Sequence, residues 1–454
     1  MTTETAMTNA VELERIRRQF DFGPYPRIPL DKFPQDDTNS LFIHNVVTAY
    51  YLAYQTVVKP ENLVILDAGC GSGYKSLLLA IANPGAKIVG IDLSEASVKM
   101  AQKRLAYHQF ENVEFHTMTI EEVPGLGVEF DYINCDEVLY LVPNPVQALQ
   151  AMGSVLKPQG IIRANLHSYL QRAAYFRAQA VFRIMGIMDN NPEEMEMKLV
   201  QEIMAELKDG VDLKARAWNP KYQQEDAAEA LLANHLLVGD QAFNVRDMFN
   251  FLDQAGLDFI AMVNWRQWSL ENLFKDPENL PSFLALSLPD VPQATQLELY
   301  ELIHPVHRLL DFWCHRPQTQ PELPPSLPED WPAEVILKAQ VYLHPQLRTE
   351  TIQAKWEQYI QERVVVDLGT FLSQTSTTPV YVDSLVLSCL LPLFAGPQSV
   401  EFLVKRWLQI CPCDLTTCEP LTPSQALTYV RQFLHRLEPA QFVLCPLPIG
   451  VKSA

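Results

Sequence analysis

VILDAGCGSGY, residues Val64 to Tyr74, runs from an apolar strand through an acidic residue into the alternating glycines Gly69, Gly71 and Gly73, with a helix expected from about Lys75. Glycines at a strand-to-helix turn let the backbone come close to a ligand, and a helix N-terminus offers N–H groups to a carboxylate or phosphate. A dinucleotide fingerprint needs a third glycine where Tyr74 stands, which argues against NAD or FAD. Downstream, the pattern alternates: SLLLAIA, KIVGIDL, SVKMAQKRLAYH, VEFHTM, FDYINCD, VQALQAMGSVL and GIIRANLH. Continuous Val/Ile/Leu strands between helices describe a doubly wound α/β unit, a parallel sheet with helices on both faces.

In such a sheet, ligands sit outside the carboxyl ends of the strands. The second strand ends at Asp92, 19 residues past Gly73. A carboxylate there can accept both hydroxyls of a ribose, and Leu93 can lie against a purine. Thr119 and Ile120 follow the third strand and face the same crevice. Cys135, Asp136 and Glu137 end the fourth.

Taken together, LDAGCGSG, VGIDLS, FDYINCDEVL and LKPQGIIRANLH resemble the class I S-adenosylmethionine-dependent methyltransferases, in order and spacing, over about residues 62–166. AGLDFIAMVNW would add a sixth strand. The resemblance implies a Rossmann-like fold and S-adenosyl-L-methionine as cofactor. It implies that Asp67 and the loop Gly69, Cys70, Gly71 and Gly73 hold the methionine end, and that Asp92 binds the ribose. Leu93 and Ile120 would enclose the adenine, and the backbone near Cys135 would accept from the ammonium. Many members carry Asp where Thr119 stands; a hydroxyl can still accept from the adenine amino group.

Methyl transfer is an in-line displacement that needs alignment and sometimes proton removal, so no metal site is expected and the catalytic residues leave little trace. The weak candidates are His167 after the fifth strand, as a base or merely a surface or capping residue, Tyr140 after the fourth, and Tyr25. Tyr25 and Arg27 belong to the extended DFGPYPRIPLDKFP, which resembles the arms that close over the cofactor or is a packed linker.

The expected units are an N-terminal arm and helix (1–60, with one helix over 39–58), the α/β core (61–166), a helical cap (167–240), the end of the catalytic domain with further helices (241–316), a Pro-rich linker (317–332), and a mainly helical C-terminal domain (333–454), winged-helix-like in one reading. The C-terminal half, with LLPLFAGPQSVEFLVKRW, faintly resembles the regulatory region of bacterial protein-lysine methyltransferases. That makes a protein lysine the first named acceptor, beside a small apolar metabolite. A non-catalytic S-adenosylmethionine sensor or interaction module is the reading from another class.

The 454 residues carry 35 basic and 54 acidic side chains, a net charge of −19. Residues 1–166 contribute −6, residues 167–332 contribute −12 and residues 333–454 contribute −1. So acidic a cap should repel nucleic acid and tolerate neutral or basic acceptors. No stretch has the length of a membrane span, no secretory leader is recognised, and a cytoplasmic, thiol-reducing setting is expected. The oligomeric state stays open. Cys411, Cys413, Cys418 and Cys445 lack paired zinc-knuckle spacing. His304, His307 and His315 read as helix-surface residues. The methionines from Met185 to Met204 read as core or lid packing.

Overall fold

The computed structural model describes residues 3–35, 37–224, 227–317, 331–373, 378–414 and 416–446; most of the Pro-rich segment, 318–330, lies outside them. The chain opens with α1 (Thr3–Phe22), which the sequence reading did not anticipate. The single helix expected over 39–58 is two, α2 (Thr38–His44) and α3 (Val46–Tyr54). The break is at Asn45, whose extended backbone (ψ 121°) ends one helix while its side chain caps the next, accepting from Val47 N–H.

The alternating segments then follow as β1 (Val64–Ala68), α4 (Tyr74–Ala82), β2 (Lys87–Asp92), α5 (Glu95–Tyr107), β3 (Val113–Thr117), β4 (Phe130–Cys135), α6 (Pro145–Ser154) and β5 (Leu156–His167). All four pairings among β1 to β5 are parallel. Four helices follow: α7 (Tyr169–Ile184), α8 (Glu194–Glu206), α9 (Asp212–Ala217) and α10 (Ala228–Asn234). They bury a small core of their own, with Phe182, Met197, Val200, Met204 and Leu231. Met188, Met197 and Met204 are buried, whereas Met185 and Met195 are exposed.

After α11 (Val245–Ala255), stopped by Gly256 at φ 67°, the expected sixth strand is β6 (Asp258–Met262). Two further helices, α12 (Ser282–Ser287) and α13 (Gln293–Ile303), lead to β7 (Leu309–His315). The sheet order is β3-β2-β1-β4-β5-β7-β6, with β7 antiparallel to both neighbours. The helix-surface reading holds for His304, exposed at the end of α13, and is corrected for His307 and His315. Pro305 follows the helix end at His304, His307 stacks on Trp268 at 4.5 Å in the connecting loop, and His315 closes β7.

The C-terminal residues form α14 (Ala333–Ile336), β8 (Gln340–Leu343), α15 (Glu350–Glu362), the short pair β9 (Val366–Asp367) and β10 (Tyr381–Val382), α16 (Ser384–Leu390), β11 (Gln398–Ser399), α17 (Val400–Ile410), α18 (Pro423–Leu437) and β12 (Val443–Leu444). They enclose a second large core around Trp356, Leu387, Leu403 and Phe433. This unit grips α2 and α3. Phe42 joins its core, Thr48 Oγ1 lies 3.0 Å from His344 Nε2, and Tyr51 donates to Glu438 Oε1 at 2.7 Å. The cysteines are free, and no group of three or more metal-ligating side chains converges among the described residues. Nor is any described helix long and apolar enough to cross a membrane.

Candidate functional site

The carboxyl ends of β1, β2, β3 and β4 open onto one cavity of about 690 Å³. Gly69, Cys70 and Gly71 follow β1, Asp92 and Leu93 end β2, Thr119, Ile120 and Glu121 follow β3, and Asp136 and Glu137 follow β4. Further wall residues include Leu13, Ile16 and Phe20 of α1, Tyr25 and Arg27 of the arm, Gln171, Arg172 and Tyr175 of α7, Glu229 and Leu232 of α10, and Lys75, Tyr140, Lys221 and Arg308. Thus most of the sequence-selected residues meet at one place. Asp67, Gly73, Cys135 and His167 do not line the cavity; each is packed behind it. The α1 residues were missed, although Leu13, Ile16 and Phe20 recur at helical spacing, a readable signal.

The glycine loop is shaped by close approach. At Gly71, φ is 50°, and an added Cβ would stand 2.1 Å from the Tyr25 carbonyl oxygen. At Gly73, φ is 80° and a Cβ would meet the Ala101 backbone at 2.6 Å. Most loop N–H groups are already spent. Gly69 and Cys70 donate to Ile91 O, Gly71 to Asp92 Oδ2 and Ser72 to Tyr25 O, each at 2.8 Å. A ligand therefore meets a bare backbone face rather than a row of free donors. Arg104, buried, stitches the arm to the loop, donating to Ser72 O, Pro29 O and Ile28 O at 2.7–2.9 Å. Gly71→Ala should cost about 1–2 kcal/mol in backbone strain and push the arm outward. We expect a folded chain whose affinity for S-adenosylhomocysteine, by calorimetry, falls at least tenfold.

Asp92 is held by Gly71 N–H on one oxygen and Ser94 N–H on the other, both at 2.8 Å. Each oxygen keeps accepting capacity. Burial raises its pKa to about 6, against these hydrogen bonds. Asp67 is likewise raised to about 6 by burial, with its carboxylate taken by Ser76 at 2.6 Å and Asn134 at 2.9 Å. It ties the end of β1 to α4 and to β4 from behind the cavity.

Beneath the β4 edge lies a buried charge network. Arg163 on β5 forks onto Asp311 of β7 at 3.0 and 2.7 Å and reaches Asp136 at 3.3 Å. Lys75, from the first turn of α4, pairs with Asp136 at 2.5 Å. Against the burial that would raise it, Arg163 and Lys75 hold Asp136 well below the usual carboxylate range. Glu137, at the unusual φ of 66°, is gripped by both Nη atoms of Arg308 and by the Tyr140 hydroxyl at 2.6 Å.

His167 is neither a surface residue nor a free base. Its side chain is 0% exposed, and its two nitrogens lie 2.7 Å from Asp240 and 3.1 Å from Arg308. The cause is β7, which pairs along β5 up to His167 and covers the strand end that a simpler sheet would leave open.

An open loop face, a carboxylate with spare lone pairs at the β2 tip, and apolar Leu93 and Ile120 beside it suit an amino-acid, ribose and purine ligand in turn. Residues 59–254 match the family described as a methyltransferase domain. An uncharacterized protein of Synechococcus is 24% identical over 313 residues, 68% of this chain and 73% of that one. A ubiquinone biosynthesis O-methyltransferase of Leptothrix cholodnii is 36% identical over 107 residues, 23% of this chain and 45% of that enzyme's length. Among solved structures, PKMT2 from Rickettsia typhi in complex with AdoHcy shares the fold, with a TM-score of 0.57 and 15% identity over 93% of this chain and 77% of that one. The fold follows from these likenesses.

Proposed function

We propose that this chain, a class I S-adenosylmethionine-dependent methyltransferase, methylates an amine carried by a basic acceptor, with a protein lysine as the first choice. One observation carries the choice. Glu137 and Glu229 both act on the Tyr25 hydroxyl, whose pKa burial and these two carboxylates raise, and all three line the cavity that Asp92 and the glycine loop share. Glu229 and the ring faces of Tyr25, Tyr140 and Tyr175 can attract an ammonium, while Glu137 is paired with Arg308 and the cations Arg27, Lys75, Arg172, Lys221 and Arg308 balance the acids of the lining. The −12 charge of residues 167–332 favours the same acceptors and disfavours nucleic acid.

In this reading Asp92 accepts the ribose hydroxyls, Leu93 and Ile120 flank the adenine, and Thr119 accepts from its amino group. Gly69, Cys70 and Gly71 make room for the methionine part, while Asp67, Gly73 and Cys135 keep the loop and strand ends in shape. Bound S-adenosylmethionine supplies a methyl group on a sulfonium, ready for in-line displacement. The arm and the 169–234 helices exclude water and align the acceptor nitrogen, which accounts for much of the rate in a displacement of this kind. The unit limits inferred from the sequence belong to this proposal, supported by separate cores for residues 178–236 and for the C-terminal residues. So does a reducing, cytoplasmic setting, supported by the free thiols.

The cofactor's hydroxyls donate to ionised Asp92, so binding favours the charged form. Affinity should be flat above about pH 7 and fall as pH drops through about 6, the free-chain value, by up to tenfold per unit. Asp92→Asn should abolish this dependence while Asp67 still titrates. A wild-type affinity constant from pH 8 to 5 would remove Asp92 from the ribose.

The acceptor is identified by incubating the chain with methyl-labelled S-adenosylmethionine and a fractionated cell extract. Label in the protein fraction, released as methylated lysine on hydrolysis, is expected. Label only in small molecules would replace the lysine reading, and cofactor binding without label would favour a sensor.

A further inference from the structure

Arg308 immediately precedes β7, the strand hidden from the sequence reading, and its guanidinium ties three parts of the molecule together. Nη1 donates to Glu137 Oε2 at 3.0 Å and to His167 Nε2 at 3.1 Å, while Nη2 grips the other Glu137 oxygen. A guanidinium only donates. Nε2 of His167 must therefore carry its lone pair, which leaves the ring proton on Nδ1, 2.7 Å from Asp240 Oδ1. The second Asp240 oxygen accepts from Gln179 at 2.8 Å and Arg172 at 3.4 Å, both on α7. The His167 ring stacks on Tyr140 with centroids 3.6 Å apart and planes 17° apart, and the Tyr140 hydroxyl returns to Glu137. The circuit closes. His167 and Asp240 are wholly buried, so neither can meet a substrate.

We infer that His167 is a positioning residue: fixed by Asp240 as the Nδ1–H tautomer, it sets the place of Arg308, and through Arg308 the place of Glu137 and Tyr140 on the cavity wall. The docking of α7 against the sheet is thereby transmitted to the carboxylate that the proposed function assigns to the acceptor, and the inference rests on that assignment for its meaning. Glu137 needs such a fixture. Its left-handed backbone is costly for a non-glycine residue and persists only where its surroundings over-determine it.

Two readouts separate positioning from filling. In the full chain labelled with ¹⁵N-histidine, the resonances of His167, identified by their loss in His167→Gln, should report a neutral ring protonated at Nδ1. Asp240→Asn should weaken or reverse that tautomer. In methyl-label transfer into the protein fraction of an extract, Asp240→Asn and His167→Asn should fall at least tenfold, with Kd for S-adenosylhomocysteine within threefold of wild type. His167→Gln, whose amide oxygen reaches Arg308 from the Nε2 position, should retain most of the rate. A proton on Nε2 in the wild-type chain overturns the inference. So does a wild-type rate in His167→Asn, or a loss of cofactor affinity that parallels the loss of rate. Should the wild-type chain neither bind the cofactor product nor transfer label, the proposed function fails, while the tautomer still decides the fixture.

Discussion

Asp92→Ala will weaken binding of S-adenosylmethionine and S-adenosylhomocysteine by about 2–4 kcal/mol, on the order of 30- to 1,000-fold in Kd. The expectation follows from what a carboxylate does at the β2 tip: it offers two charged acceptors to a ribose diol. Alanine also releases the Gly71 and Ser94 N–H groups, each bonded at 2.8 Å, so the glycine loop loses its anchor at the same time. The variant should remain folded, because burial disfavours the Asp92 charge and raises its pKa to about 6. Calorimetry on the folded variant is the check. An affinity within threefold of wild type would show that Asp92 does not hold the ribose.

Arg163→Met will cost about 3–5 kcal/mol of stability, the range for removing one partner of a buried ion pair. Arg163 is 3% exposed and neutralises Asp311 and, with Lys75, Asp136. Without it Asp311 stays buried and loses the guanidinium from which both its oxygens accept. Burial already raises the Asp311 pKa against the pull of Arg163, and loss of the guanidinium raises it further. A raised folded-state pKa means that the charged form destabilises at high pH and that the cost is relieved as pH falls through that pKa. The variant should therefore recover part of its deficit between pH 8 and 5. Urea unfolding followed by intrinsic fluorescence measures this; a loss under about 1 kcal/mol, or a deficit that grows on acidification, would contradict the network.

The parallel core was legible because its strands are uninterrupted apolar runs and the turn after β1 spells its glycines in order. Asp92, Leu93, Thr119 and Ile120 could be placed by the rule that strand ends make the crevice. The last strand was not legible. LLDFWCH follows a segment of prolines and histidines, and nothing local says that β7 enters between β5 and β6. Its partners are remote: Arg308 meets Glu137 across 171 residues, and Arg163 meets Asp311 across 148. Reading His167 as surface or capping failed for the same reason, since only the antiparallel neighbour buries it. The Asn45 break escaped because apolar periodicity continues through it, while the cap depends on one side chain turning back to Val47. Likewise the loop N–H groups look available in sequence. They are consumed by the carbonyl of Ile91, by Asp92 and by the carbonyl of Tyr25, which lies far before the loop in the chain.

Whether the strand ends and the arm enclose S-adenosylmethionine with its ribose on Asp92 is decided by a crystal structure of the full chain with S-adenosylhomocysteine. Both ribose hydroxyls should lie within hydrogen-bond distance of the Asp92 carboxylate, the adenine between Leu93 and Ile120, and the sulfur toward the part of the cavity walled by Tyr25, Glu137 and Tyr140. A ribose held elsewhere, or an adenine lying outside the Leu93 and Ile120 walls, would contradict this placement.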